Sequence, residues 1–535
     1  MSDAASSKAP VLTWIRGAGF AAFAVGLSVF VLSVTLSDYR ITDETLRQLA
    51  QGGTVKGEHS QALFAELAPL KDRYYRSVGP FLADVDRKIS ETNERLSAEG
   101  AGQIWDYDRG EYRQALVRAA GTGPVPRRTA LFFWLSLVLG SVGAVVSFLP
   151  KIWQTTAGIK NDGVFFSSTK SRGFWGITFG VFLIGFYVAL YFFPAYIVNW
   201  IRLGDPVSQA LRGRPADRWF FYGLMYTLVL VVMAVRMAVH YRHNRYQLVR
   251  TASVSFFQLG FAFLIPAVLE SMNRPAYDFK NAWPLDYDFF FDWNINSLLG
   301  GGALGWFILF WGIGLAVILV PLLSYFFGKR WYCSWVCGCG GLAETLGDPF
   351  RHLSDKRLKA WRAERWIVHG VLVFAVVMTG IVLVNFFSAR AGDPLFGQAT
   401  GQIQKAYGFL IGSIFAGVVG TGFYPFMGNR VWCRFGCPLA ALLGLVQKLK
   451  SRFRITTNGG QCISCGNCST YCEMGIDVRW YAQRGQNIIR SSCVGCGICA
   501  AVCPRGVLRL ENGPGEARYN EVSLVQIGQG RIDIA

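Results

Sequence analysis

Charge is scarce in this chain. Asp, Glu, Lys and Arg make up 16% of its 535 residues, against 52% hydrophobic and 15% aromatic, and the mean hydropathy is +0.30. Soluble globular domains carry roughly 25% charged residues, so this composition excludes an ordinary soluble enzyme and points to an integral membrane protein. Acids are scarcer than bases: 34 Asp and Glu face 53 Lys and Arg, for a net charge of +19. In a membrane chain such a surplus belongs to cytoplasmic loops, and nucleic acid is a poor explanation for it. Nucleotide signatures are missing too. There is no Walker loop and no glycine fingerprint opening a soluble βαβ helix, so flavin or NAD binding would need a separate subunit. Cysteine is absent from the first 332 residues; all 13 lie between Cys333 and Cys503. A disulfide framework would spread over extracellular loops. This crowding reads instead as cofactor ligands or reactive thiols in a reducing compartment.

The crowding has a pattern. Cys462-x2-Cys465-x2-Cys468-x3-Cys472 is followed by Cys493-x2-Cys496-x2-Cys499-x3-Cys503-Pro504. Soft thiolates in fours suit iron–sulfur clusters. Each run supplies three ligands to one cubane, and its fourth, more distant cysteine serves the other. The expected sets are Cys462, Cys465, Cys468 and Cys503 for one 4Fe-4S cluster, and Cys493, Cys496, Cys499 and Cys472 for the second. Gly466, Gly495 and Gly497 supply tight turns. A structural zinc site would show two Cys-x2-Cys pairs at wider separation. Residues 458–511 thus resemble the bacterial-type two-cluster ferredoxins. One departure stands out: Glu473, not proline, follows Cys472, which leaves the ligands intact but alters the turn and the local charge. Arg479, Arg484, Arg505 and Arg509 near the clusters should favour the reduced, more negative form and an acidic redox partner.

Apolar segments at 17–36, 129–149, 173–201, 219–240, 253–271, 303–327, 366–388 and 406–427 are long enough to cross a bilayer. The expected fold class is therefore mainly α. It is a polytopic α-helical membrane protein of about eight spans, ending in a small α+β two-cluster ferredoxin domain. Residues 1–37 read as a disordered polar start (1–10) and a retained anchor. Residues 38–128 read as an extracytoplasmic helical domain, with Leu63, Leu67 and Leu70, then Phe81, Val85 and Ile89, at helical spacing. Breaks fall at Gly52-Gly53, Gly100-Ala101-Gly102 and Gly121-Thr122-Gly123-Pro124. The domain's one histidine, His59, is expected on the surface. Spans two to five and an aromatic outer loop occupy 129–302, spans six to eight 303–450, the ferredoxin module 451–511 and a tail 512–535. Loops 151–172, 242–250 and 329–365 hold fifteen Lys and Arg, while 202–218, 274–280 and Arg390 hold seven. The positive-inside rule then places the N-terminus and ferredoxin in the cytoplasm of a bacterial inner-membrane protein, with 202–218 as a local exception. The outer stretch Ala282-Trp283-Pro284-Leu285-Asp286-Tyr287-Asp288-Phe289-Phe290-Phe291-Asp292-Trp293 reads as an interfacial aromatic belt, or alternatively as a periplasmic docking surface.

Two segments 100 residues apart repeat one pattern: Gly328-Lys329-Arg330-Trp331-Tyr332-Cys333-Ser334-Trp335-Val336-Cys337-Gly338 and Gly428-Asn429-Arg430-Val431-Trp432-Cys433-Arg434-Phe435-Gly436-Cys437-Pro438. Both follow an apolar span, on the ferredoxin side, and the x3 spacing would put two thiols on one face of a helical turn. Cys333, Cys337, Cys433 and Cys437 leave three readings open: a shared metal or third cluster, a thiol–disulfide relay, or packed structural thiols. Residues 303–511 resemble the NosR/NapH-type membrane polyferredoxins, in which spans bearing two Cys-x3-Cys-Pro motifs precede a cytoplasmic two-cluster ferredoxin. The cytochrome-oxidase accessory ferredoxins share the plan. The chain departs from the family at Gly338, which stands where proline is expected, and at the extra Cys339. It also lacks the outer flavin-attachment motif of the NosR type.

The resemblance implies membrane-bound electron transfer between a cytoplasmic or quinone-pool donor and a respiratory or membrane redox partner. That role suits a subunit of an oxidoreductase system better than a stand-alone enzyme. The other class it implies is an accessory factor that uses reducing equivalents for metal-centre assembly. The expected partners are redox proteins, among them membrane-complex subunits, together with membrane lipid and, as a candidate, quinone. Arg236, His240 and His243 share a helix face and read as metal or haem ligands, or as a basic helix end snorkelling toward lipid. His369, and more weakly Glu270, are candidate proton acceptors near a quinone.

Overall fold

The structure, a computed structural model, describes residues 3–51, 55–100, 102–392 and 394–513. The expected break at Gly52-Gly53, Ala101 of the second break, and the tail from residue 514 lie outside the described residues.

Among the described residues, eight helices are long and apolar enough to cross a membrane: Val11–Ser33, Thr129–Gln154, Phe174–Phe192, Arg218–His240, Arg245–Ser271, Gly302–Phe327, Leu358–Arg390 and Gln398–Gly422. All eight apolar segments of the sequence are helices. The boundaries differ where local chemistry overrides hydropathy. The third span stops at Phe192 rather than 201, because Pro194 opens a separate short helix, Pro194–Ile197. The seventh begins at Leu358, eight residues early, because the amphipathic run Leu358–Arg365 continues the helix beyond its apolar part. The first helix starts at Asp3, so the polar start is helical rather than the disordered segment expected.

The chain divides into two compact units. The first comprises residues 1–150 and 188–225. Its first two spans pack through glycine: Gly26 meets Gly140 backbone to backbone, and a side chain at Gly143 would strike Phe23. Small residues allow such close approach in the membrane. Residues 38–128 fold as helices around a core of Leu63, Leu67, Leu70, Phe81, Val85 and Ile89, the residues whose spacing marked them. A short three-stranded sheet, Tyr74–Tyr75, Asp38–Arg40 and Gly121–Thr122, ties the ends of this region together. His59 is a correction to the surface reading. It is buried, with its Nδ1 2.8 Å from the Tyr112 hydroxyl. The basic loop 202–218 also finds its explanation here. Arg118 holds Asp205 at 2.5 Å and donates to Ala216 O at 2.9 Å, and Arg212 pairs with Asp217 at 2.8 Å. Two of this loop's acids and two of its arginines, Arg212 and Arg202, which donates to Arg118 O, are engaged within the protein, so its charge carries less topological weight.

The second unit comprises 151–187 and 226–535. Here the strand Phe453–Thr457 pairs antiparallel with Leu508–Asn512, closing the cysteine-rich segment into a small α+β module. Every loop on one side of the spans touches that module. Asn467 donates to Gly158 O, Tyr246 to Gly495 O at 2.8 Å, Gln247 to Cys496 O at 2.8 Å and Ser334 to Val494 O at 2.8 Å. These loops, 151–172, 241–247 and 329–357, are those the charge count assigned to the ferredoxin side.

The stretch 272–296 is a correction to the belt reading. It packs inward rather than lying along an interface: Ala282, Phe289 and Phe291 are buried, and Ala282 belongs to the core that contains Cys333 and Cys437. Trp283 donates to Thr379 at 3.0 Å in the seventh span, and the Tyr287 ring meets that of Tyr407 in the eighth, tilted at 43° with centroids 5.0 Å apart. Gly312 and Gly412 leave the space that Phe289 and Tyr287 fill.

Candidate functional site

The two cysteine runs build two thiol sets. Each places its third cysteine in a short helix, Asn467–Thr470 or Ile498–Ala501, entered through a glycine with positive φ, Gly466 at 81° or Gly497 at 74°. A side chain with Cβ would be strained at both. Cys462, Cys465, Cys468 and Cys503 line one cavity of about 360 Å³, with Arg479 and Arg505 on its rim. Arg484 stacks on Trp480 instead, at 4.0 Å, and Arg509 lies on the second strand. Cys472 is not at that cavity. It lies among the other set, close enough for its charge to act on Cys493 and Cys499. Cys503 thus shares a cavity with Cys462, Cys465 and Cys468. Burial pushes Cys468 and Cys496 up to about 12 and Cys493 to about 11 as free thiols. Deprotonating them requires a compensating metal charge, as cluster iron supplies.

The duplicated motifs meet as well. Cys333, Cys337, Cys339, Cys433 and Cys437 line a single cavity of about 250 Å³ with Tyr332, Trp432, Leu439 and Ala440. The two thiols of each motif do not share one helical turn. Cys333 ends the short helix Arg330–Cys333, and Cys337 is the N-cap of Gly338–Thr345. In the repeat, Cys433 lies in the turn Trp432–Gly436, and Cys437 is the N-cap of Pro438–Lys450. The Cys437 sulfur accepts the backbone N–H of Ala440, three residues on, at 3.4 Å. Pro438 and Gly338 occupy the same first helical position, where proline needs no N–H partner. The glycine is not neutral in packing: a side chain there would meet Gln258. Gly338 and Gly341 abut Gln258, Val254 and Leu230 of the fourth and fifth spans. Burial pushes Cys333 up to about 12, while the Cys339 thiol, donating to Cys337, holds Cys337 low at about 6. Among the described residues no three His, Cys, Asp or Glu side chains converge on a point that would hold a single metal ion.

Between the two thiol regions lies a buried charge network that sequence reasoning missed. Glu473 is 1% exposed. It accepts from Arg351 and from Asn429 at 3.1 Å, and it ion-pairs with Arg430 at 3.1 Å. Arg430 also reaches Glu344, Cys333 O at 3.1 Å and Cys433 Sγ at 3.4 Å. Arg250 pairs with Glu344, and Asp348 joins Arg351 and Arg236, each at 2.7 Å. Burial would push the Glu473 carboxyl up; Arg351, Arg430 and Arg250 override it and hold it below the ordinary range. Among the described residues of this unit, six buried cations, Arg236, Arg250, Lys329, Arg351, Arg430 and Arg434, face four buried carboxylates, Glu344, Asp348, Glu364 and Glu473. A buried surplus of positive charge needs an anionic neighbour. Sets of cluster thiolates fit that need.

The histidine readings change. Arg236 is buried against Asp348, so it does not snorkel toward lipid. His240 is buried 3.9 Å from Asp162, and His243 is exposed, its Nε2 3.1 Å from Ala501 O. The three residues meet different partners and form no common site. His369 lines a cleft of about 350 Å³ with Glu364, Lys329 and Cys433, its Nδ1 2.6 Å from Arg365 O.

Residues 461–508 match the family described as a 4Fe-4S dicluster domain, and residues 305–358 and 407–456 each match one described as a 4Fe-4S binding domain. The second and third matches are the two repeats. The chain is similar to the putative electron transport protein YccM of Escherichia coli (26% identity over 31% of this chain and 46% of that protein). It is also similar to the methylamine utilization ferredoxin-type protein MauN of Paracoccus denitrificans (28%, over 30% and 53%) and to protein NirI of the same organism (26%, over 34% and 26%). The chain thus spans about half or less of the length of these curated relatives. No solved structure matches it significantly.

Proposed function

We propose, for a chain of the membrane polyferredoxin type that carries two 4Fe-4S clusters, that its duplicated membrane thiols hold a further cluster and that the protein relays electrons between the cytoplasmic face and the membrane interior. The observation that carries this reading is the cavity shared by Cys333, Cys337, Cys433 and Cys437, with each repeat giving two thiols. Bound clusters supply reversible one-electron storage. The chain supplies the rest. The spans exclude water from the inner thiols, the two N-cap positions fix the direction of Cys337 and Cys437, and Arg430 and Lys329 neutralise thiolate charge. Lys329 acts on Cys333 of one region and on Cys493 of the other.

In this reading the ferredoxin side and N-terminus face the cytoplasm of a bacterial inner membrane, and residues 38–128 lie outside. The donor is a cytoplasmic reductant or the quinone pool; the acceptor is a respiratory or membrane redox partner. The match of each repeat to a 4Fe-4S binding domain favours a relay over an assembly factor that loads a single metal. Iron and sulfide analysis of anaerobically purified protein tests it: about 12 of each per chain are expected, against about eight if only the ferredoxin module is loaded.

A further inference from the structure

We propose that Glu473 is a positioning residue that joins the redox centre held through Cys472 to the one at Cys433, and that its charge sets the reduction potential of both. The inference rests on the reading that the membrane thiols hold a centre. Glu473 stands where the sister run has Pro504, and the two positions differ in setting: Pro504 is exposed, whereas Glu473 is buried among arginines. A proline there could make none of the side-chain contacts that Glu473 makes.

The junction is short. Glu473 follows Cys472 in the chain, and its carboxylate pairs with the Arg430 guanidinium at 3.1 Å. The other end of that guanidinium lies 3.4 Å from Cys433 Sγ and 3.1 Å from Cys333 O. One peptide link, one ion pair and one hydrogen bond therefore separate a ligand of the ferredoxin module from a thiol of the membrane cavity. The carboxylate has no freedom to leave. Asn429 and Arg351 donate to it, Ser354 donates to the Glu473 backbone oxygen at 2.7 Å, and Arg351 is itself clasped by Asp348.

Removing the negative charge while keeping the shape leaves Arg351 and Arg430 uncompensated between the two thiol sets. Positive surroundings favour the reduced, more negative form of a cluster. Both potentials should then rise together. The cubane of Cys462, Cys465, Cys468 and Cys503, whose cavity Glu473 does not line, should stay in place.

The test is an EPR-monitored redox titration of the full-length protein, purified anaerobically, as wild type, Glu473→Gln and Glu473→Asp. Glu473→Gln should shift the Cys472 cubane and the membrane centre upward by about tenfold in the reduction equilibrium, about 59 mV for one electron. Glu473→Asp, which keeps the charge, should restore both. A shift confined to the Cys472 cubane, or no shift, overturns the proposal. Should Glu473→Gln not assemble, Arg430→Gln reads the junction from its other end: both potentials should fall, and a fall at the membrane centre alone overturns it. A wild type without a third signal removes the membrane-centre reading and this proposal together. A third signal that ignores Glu473 removes the junction alone.

Discussion

At the scale of single residues, the cysteine pattern was legible and its environment was not. The eight ferredoxin cysteines follow from spacing, because three thiolates two residues apart can only wrap a compact centre. Replacing Cys503 by Ser should therefore damage the cluster at the Cys462, Cys465 and Cys468 cavity more than the other; equal loss of both EPR signals, or the reverse, contradicts the crossed sets. Glu473 was visible as a departure, but the arginines around it, Arg250, Arg351 and Arg430, come from three distant segments, and no local pattern announces them. His59 and His352 show the same limit. His352 is buried beside Phe165, rings 5.3 Å apart, and burial, aided by Lys356 and Lys170, lowers it from 6.5 to about 4. The unfolded chain therefore takes up a proton near pH 6.5 that the folded chain refuses until about pH 4. This stability is complete above 6.5 and is lost as pH falls toward 4. His352→Gln should flatten the acid limb of thermal melts over that range.

At the scale of elements, hydropathy found every span, because length and apolarity alone define a crossing. It misread the stretch 272–296, whose tryptophans and phenylalanines look interfacial whether they face lipid or protein. Gly312 and Gly412 were the available signal: small residues on the sixth and eighth spans, cut to fit Phe289 and Tyr287. Phe289→Ala should cost about 3–5 kcal/mol, as for a buried aromatic truncated in a packed core, read as a lowered melting temperature in detergent. Labelling distinguishes the two placements directly. A cysteine introduced at Phe289, which is 1% exposed, should resist a membrane-impermeant maleimide, and one at Trp293, 60% exposed, should react above the background of native thiols. Equal labelling would restore the belt.

At the scale of the molecule, the duplicated motif was readable as a repeat, but its consequence was not. Sequence spacing suggested thiols along one helical face; instead each repeat gives one thiol from a short helical segment and one from the N-cap of the next helix, and the two repeats close on one cavity. The charge count gave the ferredoxin side of the loops, and its exception at 202–218 arises because Arg118, Asp205, Arg212 and Asp217 satisfy one another. Reporter fusions after residue 36 should be active only outside the cytoplasm; activity inside would reverse the proposed orientation.

The most direct test of the account is the iron content of the wild type beside a Cys333→Ser, Cys437→Ser double variant. A relay with a centre in the membrane predicts about 12 iron atoms per chain falling to about eight, with both ferredoxin EPR signals retained. About eight in both proteins would contradict it.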